Sequence, residues 1–85
     1  MTARMDVDFM PAEGAMLRIL GLIERRGFRI RELTLSERPA QPSSLSILFE
    51  ARDAGRQPDI VALQVGNLVD VSSVTLSPSQ PSVPA

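Results

Sequence analysis

The hydrophobic residues of the chain change their spacing several times, and each change marks the boundary of a predicted element. Residues 4–9 alternate strictly between apolar and charged side chains, which is typical of a half-buried strand. The spacing changes at Ala15 to the period of an amphipathic helix. The apolar stripe of that helix consists of Met16, Ile19, Leu20 and Ile23. Gly27, preceded by two arginines, predicts the end of the helix, because glycine accepts the left-handed conformation and cations suit the negative end of the helix dipole.

Two further strands follow the first helix and form a predicted hairpin. Alternation resumes over residues 28–35, but it slips by one position, which a bulge near Glu32 would explain. A loop with two prolines comes next, and residues 45–51 then alternate again. Two alternating segments joined by such a loop predict an antiparallel pair of strands.

The last two predicted elements are a helix and a strand. Pro58 suits the first turn of a helix, and Gly66–Asn67 is its predicted end. Residues 69–76 are rich in valine and predict a strand. The order βαββαβ predicts an α+β, ferredoxin-like domain, in which two helices cover one face of a four-stranded antiparallel sheet. We assign residues 1–77 to this domain and predict that the Pro- and Ser-rich residues 78–85 are a disordered tail.

Composition argues against catalysis and against several classes of ligand. The chain has 85 residues with no histidine and no cysteine, so it lacks the commonest general base and the commonest metal ligands. Asp6 and Asp8 share one strand face, but two carboxylates alone favour a solvated face. We therefore expect no catalytic residues, no metal and no cofactor. The net charge of −1 and scattered arginines do not favour nucleic acid, and no apolar run predicts a signal peptide or membrane span, so we expect a cytoplasmic protein.

Two segments resemble a known family. Residues 14–30, GAMLRILGLIERRGFRI, and residues 64–71, QVGNLVDV, resemble the ACT domain of acetolactate synthase (acetohydroxyacid synthase) small subunits, in its single-domain isozyme II form. The resemblance implies an ACT domain that regulates and activates a large, thiamine-diphosphate-dependent catalytic subunit in the synthesis of valine, leucine and isoleucine. It also implies that the cofactors and the catalytic residues belong to that partner.

The resemblance further implies an effector site at the loop before the first helix. The candidate residues are Glu13, Gly14, Ala15, Met16, Arg29 and Ile30. A helix N-terminus suits a carboxylate, and glycine allows close approach, although Gly14 would equally serve a tight turn. Pro11 and Arg29 stand where the family has asparagines that help to hold the amino acid. We therefore predict that a branched-chain amino acid binds weakly or not at all.

A core this small favours association with another chain, so we expect a homodimer. We predict that Leu48, Val74 and Leu76 form an interface on the sheet face opposite the helices, the alternative being ordinary scattered exposure. One other function is a free-standing amino-acid sensor that regulates another enzyme or a transcription factor. An RNA-binding module of the same topology would need aromatic residues on the open sheet face, whereas the pattern places the three phenylalanines inward.

Overall fold

The computed structural model describes residues 2–37, 42–53, 55 and 57–78. It contains four strands and two helices in the predicted order βαββαβ. They are β1 (Thr2–Phe9), α1 (Ala15–Arg25), β2 (Phe28–Ser36), β3 (Ser43–Ala51), α2 (Pro58–Gly66) and β4 (Val71–Pro78). Part of the predicted Pro-rich loop, residues 38–41, lies outside the described residues.

The strands form one antiparallel sheet with the order β2-β3-β1-β4, which confirms the predicted ferredoxin-like fold. The central strand β1 places Val7 opposite Leu45 of β3 on one side and opposite Val74 of β4 on the other. The predicted hairpin of β2 and β3 is present. Its register shifts between Ile30 and Glu32, which confirms the expected bulge.

The core lies between the helices and one face of the sheet, because every second residue of β1 and β3 is buried while the residues between them are not. The strands contribute Ala3, Met5, Val7, Phe9, Phe28, Leu45, Ile47 and Phe49. The helices contribute Ala15, Ile19, Ile23, Val61 and Val65. The rings of Phe28 and Phe49 meet edge to face, with centroids 5.3 Å apart and planes at 75°, an arrangement that adds to the area they bury.

The helix ends follow from local chemistry. Gly14 precedes α1 in the left-handed region, with φ of 77°. Pro58 occupies the start of α2, where its missing N–H costs nothing. At the other end of α2 the Asn67 N–H donates to the Gln64 carbonyl at 3.2 Å, and the Leu68 N–H donates to the Val65 carbonyl at 3.1 Å. No helix within the described residues is long and apolar enough to cross a membrane.

The last strand differs from its predicted bounds. It begins at Val71 instead of Val69, because the chain turns after α2 and the Val71 N–H donates to the Leu68 carbonyl at 3.1 Å. Val69 lies in that turn with 92% of its surface exposed. At the other end β4 includes Pro78, which pairs with Ala3, so the strand continues two residues past its predicted end at residue 76. Residues 79–85, the rest of the predicted tail, lie outside the described residues.

Candidate functional site

The loop between β1 and α1 is held in a tight turn by its own backbone. The Ala12 N–H donates to the Met10 carbonyl at 2.7 Å, and the Ala15 N–H donates to the Ala12 carbonyl at 3.0 Å. Gly14 then enters α1 with a positive φ, which other residues adopt only at a cost. A Cβ at this position would also lie 3.2 Å from Nη1 of Arg18. Gly14 is therefore required by the turn, as the simpler reading of the sequence suggested.

A second loop, between α2 and β4, is joined to this first one. Arg18, one turn into α1, donates from Nη2 to a carboxylate oxygen of Asp70 at 2.6 Å. The same nitrogen also donates to the Glu13 carbonyl at 3.3 Å. The Met10 N–H donates to the Asp70 carbonyl at 2.8 Å. Asp70 thus contacts α1 through its side chain and the β1–α1 loop through its backbone, and Arg18 links three chain segments.

We call these contacts of Arg18 and Asp70 between the two loops the joint. A cavity of about 280 Å³ lies beside it. It is bounded by the β1–α1 loop, the first turn of α1 and the neighbouring ends of β2 and β3. Its lining residues are Phe9, Pro11, Ala12, Gly14, Met16, Leu17, Leu35, Glu37 and Ser43. Only Glu37 among them carries a charge, so the cavity suits an aliphatic group better than an anion. The arrangement can bind a small apolar group. Its lining side chains do not provide the pair of nucleophile and base that covalent catalysis requires.

The six predicted effector residues divide into two groups that lie far apart. Gly14 and Met16 line the cavity, whereas Glu13 is exposed and Ala15 is buried against the core with 2% exposure. Arg29 and Ile30 lie near the start of β2, which is beside the C-terminal end of α1. An α-helix of the length of α1 spans roughly 16 Å, so the two groups are at opposite ends of the domain.

Arg29 is further separated from the cavity by the sheet itself. It pairs with Glu50 of β3, whose neighbour Phe49 faces the helices. Residues directly opposite each other share a face, so Arg29 lies on the open face with Glu50. Within one chain, Arg29 therefore cannot reach a ligand in the cavity beside Gly14. A site built from both groups would need a second copy of the chain.

The residues predicted to form an interface do not share one face. Leu48 lies on the open face, in a shallow depression lined by Arg4, Glu32, Thr34 and Ser46. Val74 and Leu76 pair with the buried Val7 and Met5, so they lie on the helix side of the sheet, where they pack against the core. Their predicted placement opposite the helices is wrong. The error arises because β4 slips against β1 between Asp8 and Phe9, which places Val71 and Val74 on the same face although they are three positions apart.

The open face of the sheet is consequently polar. Arg4 donates to Ser46 at 3.0 Å, Asp8 accepts from Ser73 at 3.0 Å, and Arg31 donates to Glu50 at 2.8 Å. All three phenylalanines of the chain are buried in the core. This face therefore lacks the aromatic platform that RNA-recognition modules of the same topology use.

The residues that sequence reasoning missed are Arg18, Asp70 and the cavity residues Leu17, Leu35 and Glu37. Arg18 and Asp70 each stand inside a segment that carried the family resemblance. Their position in those segments indicated that both residues matter. It did not indicate that they contact each other, because a contact between residues 52 positions apart leaves no periodic pattern in the sequence. Leu35 and Glu37 lie at the end of β2, and only the hairpin register places them beside the first helix.

The fold defines a small ferredoxin-like βαββαβ domain, and comparison with known families agrees. The profile described as ACT domain matches residues 11–74. The chain belongs to the ACT domain family. Comparison with curated protein sequences gives no match.

Solved structures of similar fold include other ACT domains. The ACT domain from GTP pyrophosphokinase of Chlorobium tepidum superposes with a TM-score of 0.72 at 13% identity, over 89% of this chain and 96% of that one. The C-terminal domain of the MgtC protein from Mycobacterium tuberculosis gives 0.73 at 12% identity, over 99% and 93%. Formyltetrahydrofolate deformylase from Burkholderia mallei gives 0.71 at 14% identity, over 91% of this chain and 28% of that larger one. At these identities the likeness concerns the fold alone.

Proposed function

We propose that this chain is the regulatory and activating small subunit of an acetolactate synthase, and that it has no catalytic activity of its own. The observation that carries the proposal is the contact between Arg18 and Asp70 at 2.6 Å. It joins the two segments, 14–30 and 64–71, that resemble small subunits of that enzyme. Their resemblance therefore concerns one connected structural unit, the joint beside the cavity, and not two unrelated stretches of apolar residues.

The proposed mechanism is a change in the equilibrium of the partner. The catalytic residues and the thiamine diphosphate belong to the large subunit, in keeping with a chain that contains no histidine and no cysteine. A small domain that binds one arrangement of the catalytic subunit more tightly than another raises the population of that arrangement. A coupling free energy of about 1–3 kcal/mol would suffice for activation of roughly 5- to 150-fold.

Reconstitution with the large subunit tests this proposal. Saturating amounts of the full chain should raise the rate of acetolactate formation from pyruvate, while the chain alone should form none. Arg18→Ala should activate less, because it removes the side-chain bonds to Asp70 and to the Glu13 carbonyl and leaves only the backbone bond between the two loops. Arg25→Ala, an exposed arginine on the same helix, is the matched control and should activate like the original chain. If both the rate and the thermal stability of the large subunit stay unchanged when the chain is added, the assignment is wrong.

A second candidate is a free-standing amino-acid sensor, and the cavity beside Gly14 favours it. Its apolar lining, which includes Met16 and Leu35, suits an aliphatic side chain such as that of valine, leucine or isoleucine. Such a sensor would regulate a different enzyme or a transcription factor. Affinity capture from a cell extract separates the two functions, because a small subunit retains the large synthase subunit and a free-standing sensor does not.

A further inference from the structure

A second cavity lies at the far end of α1 from the joint. It has a volume of about 260 Å³ and lies between the C-terminal end of α1 and the first turns of α2. Apolar and polar side chains share its lining, which includes Arg26, Phe28, Gln57, Ile60, Val61 and Gln64. A few polar groups set among apolar walls are the usual composition of a small-molecule site.

The polar part of this cavity favours a negative charge. Arg26 is exposed and makes no ion pair within the described residues, whereas three other arginines do. α2 begins beside it, and the N-cap residue Gln57 makes no side-chain capping bond. The first N–H groups of a helix attract an anion when no side chain caps them. Asp59, in the same turn, lines a different groove beside β4, so its carboxylate does not occupy this position.

A buried acceptor adds a second requirement. The Oε1 atom of Gln64 is buried and accepts no hydrogen bond within the described residues. Leaving an acceptor buried without a partner costs free energy. The Gln64 residue as a whole is only partly buried and borders the cavity, so its amide can rotate towards a donor placed there. A ligand that offers an O–H or N–H group would therefore restore the missing bond.

We propose that this cavity binds a small hydroxy acid, a monocarboxylate that carries a hydroxyl group. The carboxylate pairs with the Arg26 guanidinium and the N-terminus of α2, the hydroxyl donates to Gln64, and the carbon chain lies against Ile60 and Val61. One arginine supplies one positive charge, and its planar guanidinium matches a carboxylate. A hydroxyl suits the site better than an ammonium group, because no carboxylate belongs to the described lining to balance a second cation beside Arg26.

Three related probes test the proposal when they are titrated into the full chain and followed by two-dimensional amide NMR. 3-Hydroxybutyrate carries both groups, butyrate lacks the hydroxyl, and 1,3-butanediol lacks the carboxylate. 3-Hydroxybutyrate should bind roughly tenfold more tightly than either of the others, since each loses one hydrogen-bonded group. The side-chain amide signals of Gln57 and Gln64 should shift during the titration, and the Gly14 amide, at the other end of α1, should not. The measurement uses the chain alone, so its outcome does not depend on the proposed enzymatic partner.

Three variants assign the two ends of the ligand. Arg26→Gln should raise the dissociation constant of 3-hydroxybutyrate by about tenfold. Arg25→Gln, the matched control, removes a neighbouring exposed arginine that is not among the lining residues, and it should leave the constant unchanged. Gln64→Met should abolish the preference for 3-hydroxybutyrate over butyrate without loss of thermal stability, because it removes an acceptor that has no partner.

The dispersion of the amide signals in the same spectra checks that every variant is folded. Shifts confined to the cavity beside Gly14, equal affinity for the three probes, or equal weakening by both arginine variants overturns the proposal. The absence of any shift with 3-hydroxybutyrate overturns it as well.

Discussion

Two glycines, one at the start of α1 and one inside it, should respond in opposite directions to substitution by alanine. Gly14 has φ of 77°, whereas Gly21 lies inside α1 with helical geometry. An alanine at position 14 would adopt the left-handed region at a cost of about 1–2 kcal/mol. Its Cβ would also lie 3.2 Å from Arg18 Nη1, so that the arginine would have to shift. Because Arg18 also contacts Asp70, part of the joint between the loops would be lost as well.

At position 21 an alanine should raise the free energy of unfolding and not lower it. A Cβ there has no atom within 4 Å, so it introduces no clash. Alanine in a helix interior is favoured over glycine by about 0.5–1 kcal/mol, since the unfolded glycine has more conformational freedom to lose. Gly21→Ala should therefore stabilise the domain by about that amount, and Gly14→Ala should destabilise it by about 1–2 kcal/mol.

Urea unfolding followed by far-ultraviolet circular dichroism measures both changes. The chain has no tryptophan, which makes dichroism preferable to fluorescence. All variants must be compared at one protein concentration, so that any self-association contributes equally to each measured stability. Gly55→Ala offers a control at φ of 91° with no neighbour within 4 Å, and it isolates the backbone cost from the contact with Arg18. A Gly14→Ala variant as stable as the parent, or a Gly21→Ala variant that is less stable, would refute the reasoning.

Three further predictions concern the core, the joint and the effector. Phe49→Ala should lower the free energy of unfolding by about 3–5 kcal/mol, since the ring is fully buried against Phe28. Thermal melts should show that this variant loses most of the cooperative transition, while Phe49→Leu retains it. Arg18→Ala should lower the free energy of unfolding by only about 0.5–1 kcal/mol, because the ion pair with Asp70 is partly exposed. A double-mutant cycle with Asp70→Asn should give a coupling energy that falls with added salt. A coupling energy of zero would contradict the contact. Valine should bind in the millimolar range or not at all, because Pro11 lacks the amide that the resemblance to acetolactate synthase small subunits implies at this position, and each lost bond weakens binding about tenfold. Calorimetric titration checks this, and a micromolar dissociation constant lost on Arg29→Ala would contradict it.

The elements of this protein were determined by local sequence. A few neighbouring residues suffice to predict the alternation in β1 and the helical period after Ala15, because strand and helix have fixed side-chain periods. The helix boundaries at Gly27 and Pro58 are equally local. The bulge near Glu32 also left a local trace, in the form of a slipped alternation. From the order of these elements the ferredoxin-like topology followed, since few arrangements bury their apolar faces.

The tertiary structure decided which side chains meet. Val74 and Leu76 were assigned to the wrong face because a register shift of one residue exchanges the two faces of a strand, and β4 shifts in this way against β1 beside Phe9. The contact of Arg18 with Asp70 joins residues far apart in the chain, so it depends on how two loops pack at the same end of the sheet. The family resemblance implied that Arg29 and Gly14 belong to one site, and only the tertiary structure shows how far apart they lie within one chain. The antiparallel course of α1 and β2 separates them by the length of the helix, because successive elements reverse direction while the sequence records only their order.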